Sequence, residues 1–172
     1  MIANLKDHYE CWNLDRLRGV GFGPTRLSDT EGFRFVQDDI GNFSTELPDE
    51  YFDLVYSIST VEHFSQDEKV CNQILADIQR VLRPGGTSIH CVDGLLFNDH
   101  LSVHPFVQKV VIEIGESKTC LDYGTIKDDP DLWRLSRYAY YTRWYHLTKR
   151  NLKQFGNPLS INLGWEKECS RR

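Results

Sequence analysis

FRFVQDDIGNFSTELPDEYFDLVYSISTVEHFSQDEK, residues 33–69, runs on through a helical pattern into RVLRPGG (80–86) and TSIHCVD (87–93). Phe33 to Gln37 combines aromatic and β-branched residues and reads as a strand, ending at the acidic pair Asp38-Asp39. Pro48-Asp49-Glu50 is a turn signal, and FDLVYSIS, Phe52 to Ser59, is the next strand. Ser65 and Glu68 have the spacing of a capping box, and Asp67 and Glu68 place negative charge where a helix would begin. Val70, Cys71, Ile74, Leu75, Ile78, Val81 and Leu82 then form one apolar stripe at helical spacing. Arg80 and Arg83 suit the end of that helix, and Pro84-Gly85-Gly86 is expected to stop it before the strand Thr87 to Asp93. Strands alternating with a helix, through connections too long for hairpins, predict an α/β fold with a mostly parallel sheet.

Upstream, HYECWNLD (8–15) makes a short strand ending in Asp15, and residues 16–32, rich in glycine and charge, read as loop. Downstream, Phe106 to Ile114 is an apolar helical segment followed by a polar loop. Asp129-Pro130 is expected to be an N-cap and first helical position. YAYYTRWY, residues 138–145, gathers Tyr138, Tyr140, Tyr141, Trp144 and Tyr145. Thr148 to Gly156 reads as a short capped helix and Leu159 to Trp165 as a last strand. The chain is read as one domain: a sheet core at 8–95, a helical and aromatic-rich segment at 96–157, and a final strand and tail at 158–172.

Bulk composition narrows the function classes. A chain of 172 residues, 40% of them hydrophobic, buries about 70% of its unfolded surface as one domain. Its net charge of −5 offers no basic footprint for nucleic acid. Five widely spaced cysteines with no C-x-x-C pattern point to reduced thiols rather than a disulfide framework or a zinc site. The six histidines do not pair with cysteines or carboxylates at ligand spacing, so no metal is expected. No run of ~18 apolar residues and no signal-like apolar core is present, so the expectation is a cytoplasmic protein that neither spans nor sits on a membrane.

In parallel α/β sheets ligands bind beyond the carboxyl ends of the strands. Those ends here carry Asp15, Asp38-Asp39, Ser57 to Ser59, and Asp93. Any one of them is explained as a carboxylate or hydroxyl capping a turn; the set of four is better explained as a shared site.

The order FVQDDI, LPDEYFDLVYSISTVEHF, RVLRPGG resembles the class I S-adenosylmethionine-dependent methyltransferases, in particular their small-molecule branch. The resemblance covers about residues 8–95. It implies a Rossmann-like doubly wound sheet, S-adenosylmethionine as cofactor and a small-molecule acceptor. By the same resemblance, Asp39 accepts from the adenine amino group, Ile40 packs on the ring, Asp15 binds the ribose hydroxyls and Ser57 lies under the cofactor. Glu62-His63 falls near the methyl-donor side.

The front of the chain departs from that pattern. Only 14 residues precede Asp15, none of them glycine, where the family places a first strand and a glycine-rich loop. Gly19-Val20-Gly21-Phe22-Gly23 has the glycine spacing, yet Arg16-Leu17-Arg18 separates it from the strand. Using it as the cofactor loop would also leave no third strand before Phe52, so it is read as a decoy. The sheet is therefore expected to be incomplete at the N-terminus, and a second shortfall is read at the C-terminus, where one strand-like segment follows Gly156.

Methyl transfer from a sulfonium needs alignment and exclusion of water more than acid-base help. His63 and His146 are the candidates to deprotonate an acceptor, against the ordinary reading of each as a structural or surface residue. Tyr141, Trp144 and Tyr145 are candidate walls of an acceptor pocket, against the reading of that cluster as core or dimer contact. Two functions stay open: methyl transfer to a small molecule, or a non-catalytic or truncated methyltransferase-like protein serving as partner or scaffold. A nicotinamide or nucleotide-sugar enzyme is disfavoured because its glycine fingerprint is missing from the required place. A sheet lacking a strand exposes an edge or an apolar face, so homodimerisation is expected.

Overall fold

β1 (Cys11–Leu14) and β2 (Phe33–Val36) pair in parallel, Trp12 beside Arg34 and Leu14 beside Val36. The computed structural model describes residues 7–19, 25–26, 32–113 and 123–169; Val20 to Gly23 of the glycine pattern, and Cys120, lie outside them. β3 (Phe52–Ile58) pairs in parallel with the long β4 (Leu82–Phe97), and β4 pairs antiparallel with β5 (His100–Ser102) and β6 (Asn157–Glu166). The strands thus form two hydrogen-bonded groups, β1–β2 and β3–β4 with β5 and β6. Contact between the groups is made by side chains: the Trp12 ring meets Phe52 edge-on at 5.4 Å, and Tyr51 Oη donates to Glu10 at 2.6 Å.

The period-2 alternation of β3, β4 and β6 decides where the core sits. Val55, Ser57, Ser88, His90, Val92, Ile161, Leu163 and Trp165 share one face by register. That face is covered by α1 (Glu68–Val81) and α2 (Pro105–Glu113), which contribute Ile74, Leu75, Ile78, Phe106, Val107 and Val110 to a single core. The opposite face carries Leu54, Tyr56, Ile58 and, beside Tyr56, Ile89; these are 48%, 42%, 60% and 45% exposed.

α1 confirms the apolar stripe, with a different cap. Asp67, in extended geometry, accepts from Lys69 N at 2.8 Å, and Ser65 Oγ accepts from Asp67 N at 3.2 Å. Ser65 therefore shapes the turn into the helix, and the Asp67 side chain takes the cap. The Pro-Gly-Gly turn also behaves differently from expectation. β4 already begins at Leu82, opposite Phe52, and the ladder resumes at Thr87 opposite Leu54, so residues 83–86 are a bulge within the strand. A Cβ on Gly86 would lie 2.8 Å from Phe52 O, which is why this crossing needs glycine.

Past Asp93 the strand continues to Phe97 and turns back through Asn98 and Asp99, whose φ values are 48° and 59°. This two-residue hairpin turn was not expected from sequence, although Asn and Asp are the residues that tolerate such backbone. The helix expected at Asp129-Pro130 is absent. Asp129 Oδ1 instead accepts from Asp131 N at 2.9 Å and closes a turn, leading to a bridge between Arg134 and Leu159. The preceding α3 (Tyr123–Lys127) is short. The aromatic stretch is helical: α4 (Arg137–Ala139), a π-helical turn Tyr140–Trp144, and α5 (Tyr145–Thr148), closed by Lys149 at φ 54°. α6 (Leu152–Phe155) has the capping box of Asn151 and Gln154.

Candidate functional site

The carboxyl ends of β1 and β2 lie side by side and are bridged by one side chain. Arg16 NH2 is 3.1 Å from Asp38 Oδ1, and Arg16 Nε is 3.1 Å from Asp39 Oδ2; Arg18 NH2 is 3.5 Å from that same Asp39 oxygen. Asp38 Oδ1 also accepts from Asn42 Nδ2 at 2.6 Å and from Asp39 N at 2.8 Å. The Asn42 amide, the Asp39 N–H and the Arg16 guanidinium, in that order, hold the Asp38 carboxyl down at about 2. Asp38 is thus the structural member of the acidic pair. Asp39 is half-exposed, and both arginines sit on its Oδ2, leaving Oδ1 to an incoming donor. Asp15 uses Oδ1 to accept from Leu17 N at 2.5 Å, an Asx-type turn with Leu17 at φ 57°.

The segment after Asp39 is held from α1. Asp77, fully buried, accepts through Oδ2 from Gly41 N at 2.7 Å and Phe43 N at 3.1 Å, and through Oδ1 from Arg80 Nε at 2.9 Å. Arg80 donates onward to Leu47 O at 2.8 Å and Ser44 O at 3.3 Å, and pairs with Asp49. Ile40, between Asp39 and Gly41, is half-buried and packs against the main core. Sequence reasoning missed Asp77. The signal was present as a carboxylate on the apolar stripe of α1, three residues before an arginine.

Ser57 lies apart from this group. On β3 its hydroxyl is 2.7 Å from His90 Nδ1, and His90 Nε2 is 2.8 Å from Ser88 Oγ. The imidazole is stacked on Trp165 at 5.1 Å and meets Phe106 edge-on. Only 3% of His90 is exposed, and burial pushes its pKa from 6.5 down to about 4. A neutral ring donates through one nitrogen and accepts through the other, and either serine can take the matching role. The Ser57 hydroxyl is therefore committed to the helix-covered face.

Next to the end of β3, a 3-10 turn (Val61–His63) carries Glu62 and His63. Burial raises the Glu62 carboxyl, and the nearby Asp93 charge adds to the rise; burial also raises Asp93, partly opposed by His63. Glu62 Oε2 is a buried oxygen without a hydrogen-bond partner. His63 is exposed beside this pair of half-buried carboxylates. His146 lies on α5, exposed, with its ring 6.4 Å from Tyr145. Tyr141 and Tyr145 stand with ring centres 5.7 Å apart, and with Trp144 they are about 40% exposed. Tyr140, immediately before Tyr141 in sequence, is the core member: it is fully buried, and its hydroxyl donates to Arg150 O at 2.8 Å. Among the described residues no hydrogen bond, ion pair or ring contact joins the aromatic group or His146 to Asp39. Among the described residues no group of three or more His, Cys, Asp or Glu side chains is arranged to hold a metal ion.

An acidic turn after one parallel strand, a carboxylate after its neighbour, and a helix running back into the next strand occupy residues 15–90, and a family model described as "Methyltransferase domain" matches those same residues. Over those residues, 76 of the 172, the chain is similar to a methyltransferase domain. This match agrees with the resemblance to class I methyltransferases read from the sequence, a resemblance that implies S-adenosylmethionine as cofactor. A SAM-dependent methyltransferase from Methanosarcina mazei is 12% identical, with 98% of this chain and 87% of that one aligned at a TM-score of 0.52, which shows the shared fold. The Haloferax volcanii methyltransferase solved with the Trm112 activator is 15% identical over 99% and 78% of the two chains, at a TM-score of 0.49. The N-methyltransferase NodS from Bradyrhizobium japonicum, solved with S-adenosyl-L-homocysteine, is 15% identical over 92% and 66%, at 0.44. The chain therefore spans between 66% and 87% of these structures. No curated protein matches the sequence significantly.

Asp39, Ile40 and Asp15 offer groups of the kind an adenosine would use. Asp39 Oδ1 is an accessible acceptor suited to an amino group, and Asp15 keeps Oδ2 for a hydroxyl. Ile40 supplies apolar surface next to them. Among the described residues no helix is long and apolar enough to cross a membrane.

Proposed function

We propose that this domain transfers the methyl group of S-adenosylmethionine to a small-molecule acceptor. The observation that carries the reading is the Asp39–Ile40 turn, anchored at the end of β2 within the matched residues 15–90. When bound, the cofactor supplies an electrophilic methyl group on a sulfonium. Asp39 accepts from the adenine amino group, Ile40 lies against the base, and Asp15 accepts from the ribose hydroxyls. Ser57, fixed by His90, contributes through strand position rather than through a free hydroxyl. His63 is favoured over His146 as the acceptor's base because it lies just past the end of β3, within the matched residues 15–90. Tyr141, Trp144 and Tyr145 form the wall that excludes water from the acceptor. The test is release of S-adenosylhomocysteine when S-adenosylmethionine and panels of small amines, phenols and carboxylates are offered. Cofactor binding without release for any acceptor class supports the second reading, a non-catalytic partner or scaffold.

One observation favours association in either case. Leu54, Tyr56, Ile58 and Ile89 form an exposed apolar face on β3 and β4, and a second copy of this chain covers it by two-fold pairing of identical patches.

A further inference from the structure

Asp77 is a fully buried carboxylate with both oxygens engaged, and no part of the proposed reaction calls on it directly. It is fully buried in the middle of α1, where an unpaired charge would be costly. Two backbone N–H groups and one guanidinium satisfy it, with Gly41 N at 2.7 Å, Phe43 N at 3.1 Å and Arg80 Nε at 2.9 Å. Its backbone partners straddle Asn42, and Gly41 follows Asp39 by two residues. The geometry around Gly41 has little freedom. Its φ is +97°, and an added Cβ would lie 2.9 Å from Ile74 Cγ1 and 3.1 Å from Ile74 N. The turn is pressed onto α1 until the two N–H groups reach the carboxylate. Arg80, oriented by Asp77, fixes Ser44 O and Leu47 O further along the same loop.

Building on the adenosine site above, we infer that Asp77 is a positioning residue for base recognition: through the Gly41 and Phe43 amides it sets where Asp39 and Ile40 stand. The chemistry read by this arrangement is a purine with an exocyclic amino group. Adenine presents a donor to Asp39 Oδ1. Hypoxanthine presents a carbonyl oxygen there, lone pair against lone pair, and is rejected. Rejection needs the carboxylate held in place, because a loose side chain swings away from the mismatch.

The experiment is calorimetric titration of S-adenosylhomocysteine and its deaminated analogue S-inosylhomocysteine into the wild-type chain, Asp39→Ala, Asp77→Asn and Arg80→Lys. Wild type prefers the adenosyl compound by about tenfold or more. Asp39→Ala abolishes the preference, Asp77→Asn reduces it to about twofold, and Arg80→Lys, which keeps both amide bonds, reduces it by a smaller factor. A general loss of stability weakens both ligands alike and leaves the ratio untouched. In the absence of ligand, exchange of the Gly41 and Phe43 amides is slow in wild type. It is at least tenfold faster in Asp77→Asn, with Ile78 unchanged. If Asp77→Asn does not fold, Arg80→Lys with the wild-type exchange rates decides. A full preference in folded Asp77→Asn or in Arg80→Lys, or rapid exchange of both amides in wild type, overturns the positioning role while the adenosine site stands. Equal binding of the two compounds by wild type overturns both.

Discussion

Arg16 Nε stands 3.1 Å from Asp39 Oδ2, joining the loop after β1 to the turn after β2. Arg18 approaches the same oxygen at 3.5 Å, so both cations gather on one side of the carboxylate. The pair orients Asp39 without using the oxygen assigned to the base. Removing Arg16 by an Arg16→Ala substitution is expected to weaken S-adenosylhomocysteine binding about threefold, as for other partly exposed ion pairs, and to lessen its sensitivity to salt. Titration at low and high salt checks this. Tighter binding in the variant would mean that Arg16 blocks Asp39 instead of aiming it.

His90 predicts a pH dependence of stability. Its folded pKa of about 4 lies below the ordinary 6.5, so between those values the unfolded chain binds more protons than the folded one. The stability associated with a neutral His90 is therefore complete above pH 6.5 and is lost as pH falls toward 4, by about 3 kcal/mol. Glu62 and Asp93, whose folded pKa values are raised, act in the opposite sense above their unfolded values. The difference between wild type and His90→Gln isolates the histidine. Denaturant titrations from pH 7 to 4 should show a steeper loss in wild type than in the variant; parallel curves would remove His90 from the account.

Much of this arrangement was legible in the sequence, and the misses share a physical cause. α1 was visible because Cys71, Ile74, Leu75, Ile78 and Val81 repeat at helical spacing and all face the core. β1, β2 and β3 were found because short β-branched and aromatic runs end at Asp15, Asp38 and Ser59. β4 was drawn too short at both ends. Pro84 and Gly85 read locally as a stop, while pairing of Leu82 with Phe52 and of Gly85 N with Lys167 O carries the strand across them. Asp129 carried a cap signal that its own Asx turn with Asp131 took up. Asp15 and Asp39 were rightly placed at neighbouring strand ends, but their links to Arg16 and Asp77 are long-range contacts that no local pattern encodes.

The apolar face of β3 and β4 predicts association. Leu54, Tyr56, Ile58 and Ile89 each stand 42% or more exposed on one side of the sheet, and burying a side chain of this size contributes about 1.5–3 kcal/mol. Light scattering at micromolar concentration is expected to give a dimer for wild type and a monomer of unchanged helical content for Ile58→Asp. A monomeric wild-type chain would contradict the two-fold face.

In the proposed function the turn after β2 receives the adenine of S-adenosylmethionine through Asp39. Calorimetric titration of S-adenosylhomocysteine into wild type and Asp39→Ala tests it most directly. Saturable binding to wild type is expected, with affinity lower by about tenfold or more in the variant, the loss of a hydrogen bond to a charged group. No binding to folded wild-type protein, or equal affinity of the two proteins, would contradict it.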